Sequence, residues 1–401
     1  MALTKLNTYS LADDAITSAK IADDAITSAL IADNAVVTAA IADDAVTSAK
    51  TTVTSTNPNL IINGDMAIAQ RGTSSTSTGI KTVDRWNALW TGGGITQSQV
   101  ALTSGGPYDE GHRHAFKMAV TSVNSANNRY AQMRYIPEAK DIRNFGWQYT
   151  SGSSYITVSF WAKSSLAGTY FFSMYGPDSG TAQIYSTSYA LAADTWTKVT
   201  KTIPGGSNIV LNDDTGVGFY IDIRLDLGTD YTASDATINA WNDRVASDAK
   251  TTTDFAQSWF NTGSATFEVT GVKLEVGQSA TTFEKLDYTA EFQRCQRYYW
   301  TIRGDEGQDY SNNYGFLVQW SSSRFSGWNP SWTQNFPVEM RAIPTTTIVG
   351  TWATSNAGTP GLGGYKSKMT AIILLSGTTA TSGTYMHFNS TDDAITFDAE
   401  L

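Results

Sequence analysis

Cysteine is all but missing from this chain. Cys295 stands alone in 401 residues, so no disulfide can close within one copy, and stability must come from packing or association. Long apolar runs are missing too. No stretch of about 18 apolar residues occurs, and the opening MALTKLNTYS has no signal-peptide core. This points to a chain made in a cytoplasm, not exported by the usual route and not inserted in a membrane. Charge is sparse, at 16% of residues, with 27 Lys and Arg against 37 Asp and Glu. The resulting net charge of −10 argues against binding nucleic acid by neutralising phosphates and predicts repulsion from anionic membranes.

Enzyme signatures are missing as well. Gly361-Leu362-Gly363-Gly364-Tyr365-Lys366-Ser367 is glycine-rich, but Tyr365 interrupts the Gly-Lys pair of a phosphate-binding loop. No G-x-S-x-G, H-E-x-x-H or paired-cysteine metal motif occurs. Cys295 has no obvious base beside it in the sequence. The expectation is a protein that is not an enzyme. Glycosidase carboxylates are recognised by their separation in space, so a depolymerase stays open as an alternative.

What is present begins with a repeat. Large aliphatics stand at Leu11, Ile16, Ile21, Ile26, Ile31, Val36, Ile41 and Val46, a step of five, within four decads close to IADDAITSAK: LADDAITSAK, IADDAITSAL, IADNAVVTAA and IADDAVTSAK. Internal repeats show how a chain is built. A step of five fits neither helix nor strand, so each pentad should hold a turn or one helical turn. One apolar residue in five cannot close a core alone. Three parallel copies could, with the aliphatics meeting near a threefold axis and the alanines allowing close backbone approach. A low-complexity linker is the competing reading.

From residue 59 the texture becomes that of strands. Aromatics make up 12% of the chain, and Thr, Ser and Gly are abundant, which favours β-structure. Along residues 154–163, Ile156, Val158, Phe160 and Ala162 alternate with Tyr155, Thr157, Ser159, Trp161 and Lys163. Along 216–228, Val217, Phe219, Ile221, Ile223, Leu225 and Leu227 oppose Tyr220, Asp222, Arg224 and Asp226. Leu60-Ile61-Ile62 should run into a turn at Asn63-Gly64-Asp65. The apolar phase changes at Thr270-Gly271, as a β-bulge would produce. These strands predict an antiparallel β-sandwich. Residues 235–250 are the best candidate for a helical insertion, and 283–300 for a linking helix with Leu286, Ala290 and Phe292 on one side. Short strands should follow at 314–320, 336–340, 369–375, 384–388 and 394–397.

Several fragments resemble bacteriophage tail fibres. They are Asn59-Leu60-Ile61-Ile62-Asn63-Gly64-Asp65-Met66, Gln70-Arg71-Gly72, Val83-Asp84-Arg85-Trp86, the strand ending Trp161-Ala162-Lys163, and Val272-Lys273-Leu274-Glu275-Val276-Gly277 with Thr282-Phe283-Glu284. Cys295-Gln296-Arg297-Tyr298-Tyr299, Phe336-Pro337-Val338-Glu339-Met340-Arg341-Ala342-Ile343-Pro344 and Asp398-Ala399-Glu400-Leu401 are similar to the C-terminal regions of such fibres. The resemblance implies a mainly β chain: an N-terminal repetitive trimeric shaft, an antiparallel jelly-roll β-sandwich like carbohydrate-binding modules, and a smaller C-terminal β-sandwich tip. The expected division is a docking peptide (1–10), shaft (11–50), linker (51–58), jelly roll (59–285), connecting helix (286–300) and tip (301–401). It implies a homotrimer in the virion, made in the host cytoplasm and joined to tail, fibre or adaptor proteins through its N-terminus. Its function would be adsorption to a host-surface polysaccharide or lipopolysaccharide. A purely structural virion spacer is the further alternative.

A sugar-binding surface needs flat rings for pyranose faces and amide or hydroxyl partners for sugar hydroxyls. The densest such segment holds Tyr310, Tyr314, Trp320, Arg324, Trp328, Asn329 and Trp332. Trp352, Tyr365, Tyr385 and His387 are weaker candidates. The competing reading places these rings in a core or trimer interface. The resemblance also implies a structural Ca²⁺ at Asp65 with acids such as Glu275, and no other cofactor. His112 and His114 share one strand face as H-x-H, a metal spacing, but an exposed loop ahead of a strand at 115–120 explains them more simply. Asn212-Asp213-Asp214-Thr215-Gly216 lacks an EF-hand glutamate and reads as an acidic turn.

Overall fold

Alternating β-branched or aromatic and polar residues favour strands. In the computed structural model these strands form two six-stranded antiparallel sheets. The structure describes residues 58–178, 180–244, 250–303, 318–320, 331–355, 360–375, 384–387 and 393–401. The docking peptide, the decad-repeat shaft and the linker as far as residue 57 lie outside the described residues. The first sheet runs β1 (Ser74–Ser75), β3 (Gly94–Ala101), β4 (His114–Ser122), β12 (Thr266–Val276), β6 (Tyr155–Ser164), β9 (Thr197–Pro204). The second runs β11 (Trp241–Asp243), β8 (Gln183–Leu191), β7 (Gly168–Gly176), β10 (Tyr220–Leu227), β5 (Tyr130–Tyr135), β2 (Trp86–Trp90).

The core lies between the sheets. Ile156, Val158, Phe160 and Ala162 of β6 are fully buried with Tyr170, Phe172 and Met174 of β7 in one cluster. Each such large side chain contributes about 1.5–3 kcal/mol of burial free energy. Phe160 meets Phe172 at 6.2 Å and Tyr189 edge-on at 5.4 Å between ring centres. The inward set expected for 154–163 is therefore the set observed. The bulge expected at Thr270-Gly271 is also present: pairing of β12 with β6 slips between Thr270 and Lys273. Gly271 sits there at φ 62°, and a Cβ on it would lie 2.7 Å from His112 Nε2.

Other expectations fail. The turn expected at Asn63-Gly64-Asp65 is present, but Leu60, Ile61 and Ile62 ahead of it form no strand and are buried without joining a sheet, because the Asn59 side chain bonds Ile61 N and both edges of Val272–Leu274. The described part of 235–250 contains no helix. Its Trp241 ring packs on Tyr185 and Phe219 while Nε1 donates to Pro204 O, which draws Trp241–Asp243 onto the sheet edge. His112 is no exposed loop residue: it is fully buried, edge-on to Phe283 at 4.9 Å.

The linking helix spans Tyr288–Gln296, capped by Asp287, whose side chain accepts from Ala290 N at 3.0 Å. Its inward residue is Cys295, with Phe292 partly buried, while Leu286 precedes the helix and is exposed. Beyond it, among the described residues, come three three-stranded antiparallel sheets. They are β13 (Tyr299–Arg303), β21 (Ala394–Asp398), β16 (Thr345–Val349); β14 (Val318–Trp320), β20 (Thr384–His387), β17 (Ala353–Ser355); and β15 (Ser331–Asn335), β19 (Thr370–Leu375), β18 (Pro360–Lys366). Residues 336–340 form no strand; Phe336 and Met340 instead fill a second apolar cluster with Ile373, Ile395 and Phe397. Residues 56–401 nonetheless make one compact unit.

Candidate functional site

β10 carries the site. Ile221, Ile223 and Leu225 enter the core, so Tyr220, Asp222 and Arg224 point out of the sandwich. On β5, Ala131, Met133 and Tyr135 are in the core and Tyr130, Gln132 and Arg134 share the outer face. Register then sets the neighbours: Asp222 lies opposite Arg134, Arg224 opposite Gln132, and Tyr220 opposite Tyr175 of β7. The alternation expected for 216–228 holds as far as Leu225. A bulge between Arg224 and Asp226 shifts the phase, so Leu227 joins Leu89 and Tyr130 in lining the outer face. Asp226 is fully buried, holding Arg129 Nε at 3.1 Å and accepting from Phe260 N at 2.7 Å. Burial, only partly offset by those bonds, raises its pKa.

The outer face becomes a cleft of about 380 Å³, lined at its edges by Tyr231, Arg244 and Thr251. A second hollow of about 480 Å³, lined by Ile184, Ser186, Asn242 and Asp243 among others, shares Arg244 and Thr251 with it. In the first, Arg134 grips Asp222 through two bonds of 2.7 and 3.0 Å. The Tyr175 and Tyr220 rings stack at 5.4 Å with an interplanar angle of 15°. Arg134 lies 4.5 Å from the centre of Tyr220 and Arg244 5.0 Å from that of Tyr175. Both are cation–π distances. Tyr130 and Tyr231 meet edge to face at 6.1 Å on the same surface.

Arg224 is 8% exposed. Its Nη1 donates to Thr251 Oγ1 at 3.0 Å and its Nη2 stands 3.6 Å from Asp222. Its Nε has no partner among the described residues. Burial pulls Arg224 down to about 10, against the Asp222 charge and with help from Arg134 and Arg244. The cleft can therefore stack or edge-pack apolar ring faces on tyrosine and donate guanidinium hydrogen bonds to oxygen acceptors.

Of the residues expected to bind glycan, Trp332 lies on β15 and is partly buried against the C-terminal apolar cluster. Trp320 lies on β14. Tyr310, Tyr314, Arg324, Trp328 and Asn329 fall outside the described residues. Trp352 is buried and donates to Val349 O at 3.0 Å. Glu275 is fully buried, 3.2 Å from Lys273 Nζ, and accepts from Thr281 N and Oγ1. Asp65 lies 4.0 Å from Lys285. Among the described residues, no group of three or more His, Cys, Asp or Glu side chains is placed to hold a metal. The thiol of Cys295 is buried and pushed well up, which leaves it unreactive at neutral pH. No helix among the described residues is long and apolar enough to cross a membrane.

The cleft's polar row Tyr220-x-Asp222-x-Arg224 was visible in the sequence as the outward half of a strand. Its partners Tyr130, Arg134, Tyr175 and Arg244 were not, since only strand order sets β5 and β7 beside β10, and Arg244 reaches the cleft from the end of β11 at the sheet edge.

No protein-family model matches the chain, and no curated protein matches it. Solved structures similar to parts of it include the enzymatically active domain of tailspike protein 4 from bacteriophage CBA120, at 11% identity and a TM-score of 0.30. That match covers 55% of this chain and 21% of the tailspike, so the chain spans about a fifth of that protein's length. A family 11 carbohydrate-binding module from Clostridium thermocellum, in complex with a β-1,3-1,4-mixed-linked tetrasaccharide, is similar at 13% identity and a TM-score of 0.25. It covers 51% of this chain and 95% of the module. The tripod from the baseplate of bacteriophage Tuc2009 is similar at 14% identity and a TM-score of 0.23, covering 57% of this chain and 58% of that one.

Proposed function

We propose that this chain is a phage fibre protein that adheres to a host-surface glycan through the outer cleft of its second sheet. One observation carries the reading. A sheet face that would otherwise be solvated instead forms a hollow in which four tyrosines, three arginines and an amide converge, the composition expected where sugar rings and hydroxyls are held. The tail-fibre resemblance of the flanking fragments and the decad repeat supports the virion setting. In this reading three chains associate through the repeat, and the N-terminus meets another tail, fibre or adaptor protein. Three weak sites on one stalk then gain affinity by avidity. The protein adheres and breaks no bond.

Adhesion of the labelled full-length chain to host cells tests this. Tyr130→Ala with Tyr231→Ala should weaken adhesion at least tenfold, at an unchanged mass of three chains by light scattering. If only the triple change Trp320→Ala, Trp328→Ala, Trp332→Ala abolished adhesion, the receptor site would belong to the C-terminal region. If neither set mattered, the spacer reading would stand. Shortening of host polysaccharide on incubation would make the chain a depolymerase.

A further inference from the structure

We propose that the cleft selects an acidic glycan, seating a carboxylate or phosphate of the sugar chain between Arg224 and Arg244; this deepens the reading above and rests on it. The first observation is charge. The chain carries a net −10, yet the cleft gathers Arg134, Arg224 and Arg244 around a single carboxylate, Asp222. Asp222 is already engaged twice by Arg134, and it lies only within 3.6 Å of Arg224. Two guanidinium charges are therefore left without a full counterion inside the hollow. Arg244 also lines the adjoining hollow, where Lys250 stands with Asp235 and Asp243, so over both hollows four cations face three carboxylates and a positive charge is still in excess.

The second observation is hydrogen bonding. A buried guanidinium N–H without an acceptor costs free energy, and Arg224 Nε is such a group. An anionic oxygen entering the cleft supplies the acceptor and a charge-assisted bond. Burial and the two neighbouring arginines already weaken the hold of Arg224 on its proton, which an incoming anion reverses. The third is the use of the rings. In a cleft built for neutral sugars, tyrosine faces lie bare for stacking. Here Tyr175 and Tyr220 stack on each other with Arg244 and Arg134 over them. The rings thus hold the guanidiniums in place, and Tyr130 and Tyr231 remain to contact the sugar ring.

The test is calorimetric titration of the full-length chain with a glucuronate-containing oligosaccharide, its carboxyl-reduced neutral counterpart, and a glycerol-phosphate teichoic oligomer. Binding of either acidic ligand at least tenfold tighter than the neutral one, falling as salt rises and lost in Arg244→Gln, is the expected result; which acidic ligand wins identifies the anion. Arg244 is half-buried, so its variant should fold even if Arg224→Gln does not. Equal binding of the acid and its reduced form overturns the acidic preference while leaving the glycan site intact. Binding of none of the three, with adhesion to host cells unaffected by the tyrosine changes, removes the site itself.

Discussion

At position 112 the chain keeps an imidazole where no solvent reaches. His112 packs on Phe283 and under Gly271, and among the described residues neither ring nitrogen has a hydrogen-bond partner. Burial, helped by the nearby Lys285, depresses its pKa to about 4. The unfolded chain therefore binds a proton near pH 6.5 that the folded one refuses until about 4. Stability from this group is full above pH 6.5 and declines as pH falls toward 4, by about 3 kcal/mol in total. Asp84 runs the other way. Burial raises it to about 6 against the pull of Arg71, so its contribution is present below about 4 and is lost as pH rises through 6. Urea unfolding of wild type and His112→Leu between pH 4 and 7 separates the two. The variant should lose the acid decline and keep the opposite slope; identical profiles would place the titration elsewhere.

Among the elements, β12 and β10 show what a pattern can and cannot reveal. The bulge in β12 was readable because Thr270-Gly271 interrupts one apolar phase and starts another, and glycine allows the positive φ. Gly271→Ala meets both a disfavoured φ and the His112 ring, so a loss of about 2 kcal/mol is expected in urea unfolding. A neutral result would mean that the ring moves aside. The bulge in β10 left no such mark. Asp226 and Leu227 continue the alternation on paper, while the bulge turns Asp226 inward to Arg129 and Phe260 N and leaves Leu227 on the outer face. Residues 235–250 failed as a helix for a related reason: Trp241 gains more by packing on Phe219 and Tyr185 than a weakly periodic segment gains by coiling.

Across the whole molecule, the fragments that resemble tail fibres hold one another. Arg85 is buried over the Tyr298 ring at 3.4 Å, pairs with Glu400 and donates to Ile136 O at 2.5 Å. Arg71 reaches Asp398 at 3.1 Å and lies 3.6 Å above Tyr299. Arg297 and Tyr298 both bond Glu138, and Arg341 caps the carbonyls of Ala399 and Glu400. This knot ties the C-terminal strands to the sandwich. Glu400→Gln leaves Arg85 as a buried, unpaired charge, which should cost about 3 kcal/mol or more and hasten proteolysis after the linking helix. Unchanged stability and unchanged cleavage would show that Arg71 and Arg341 suffice.

By itself the sequence determined the β class, the inward faces of β6 and the first half of β10, the bulge at Gly271 and the presence of a helix within residues 283–300. All of these rest on local alternation or on residues a few positions apart, and short-range physics writes them directly into the chain. Tertiary structure alone decided the cleft, the ionic knot and the burial of His112. Each joins residues far apart in sequence, such as Tyr130 with Tyr231 or Arg85 with Glu400, and becomes definite only once strand order and register are set. The row Tyr220, Asp222 and Arg224 marks the boundary: its outward direction was legible, and what it faces was not.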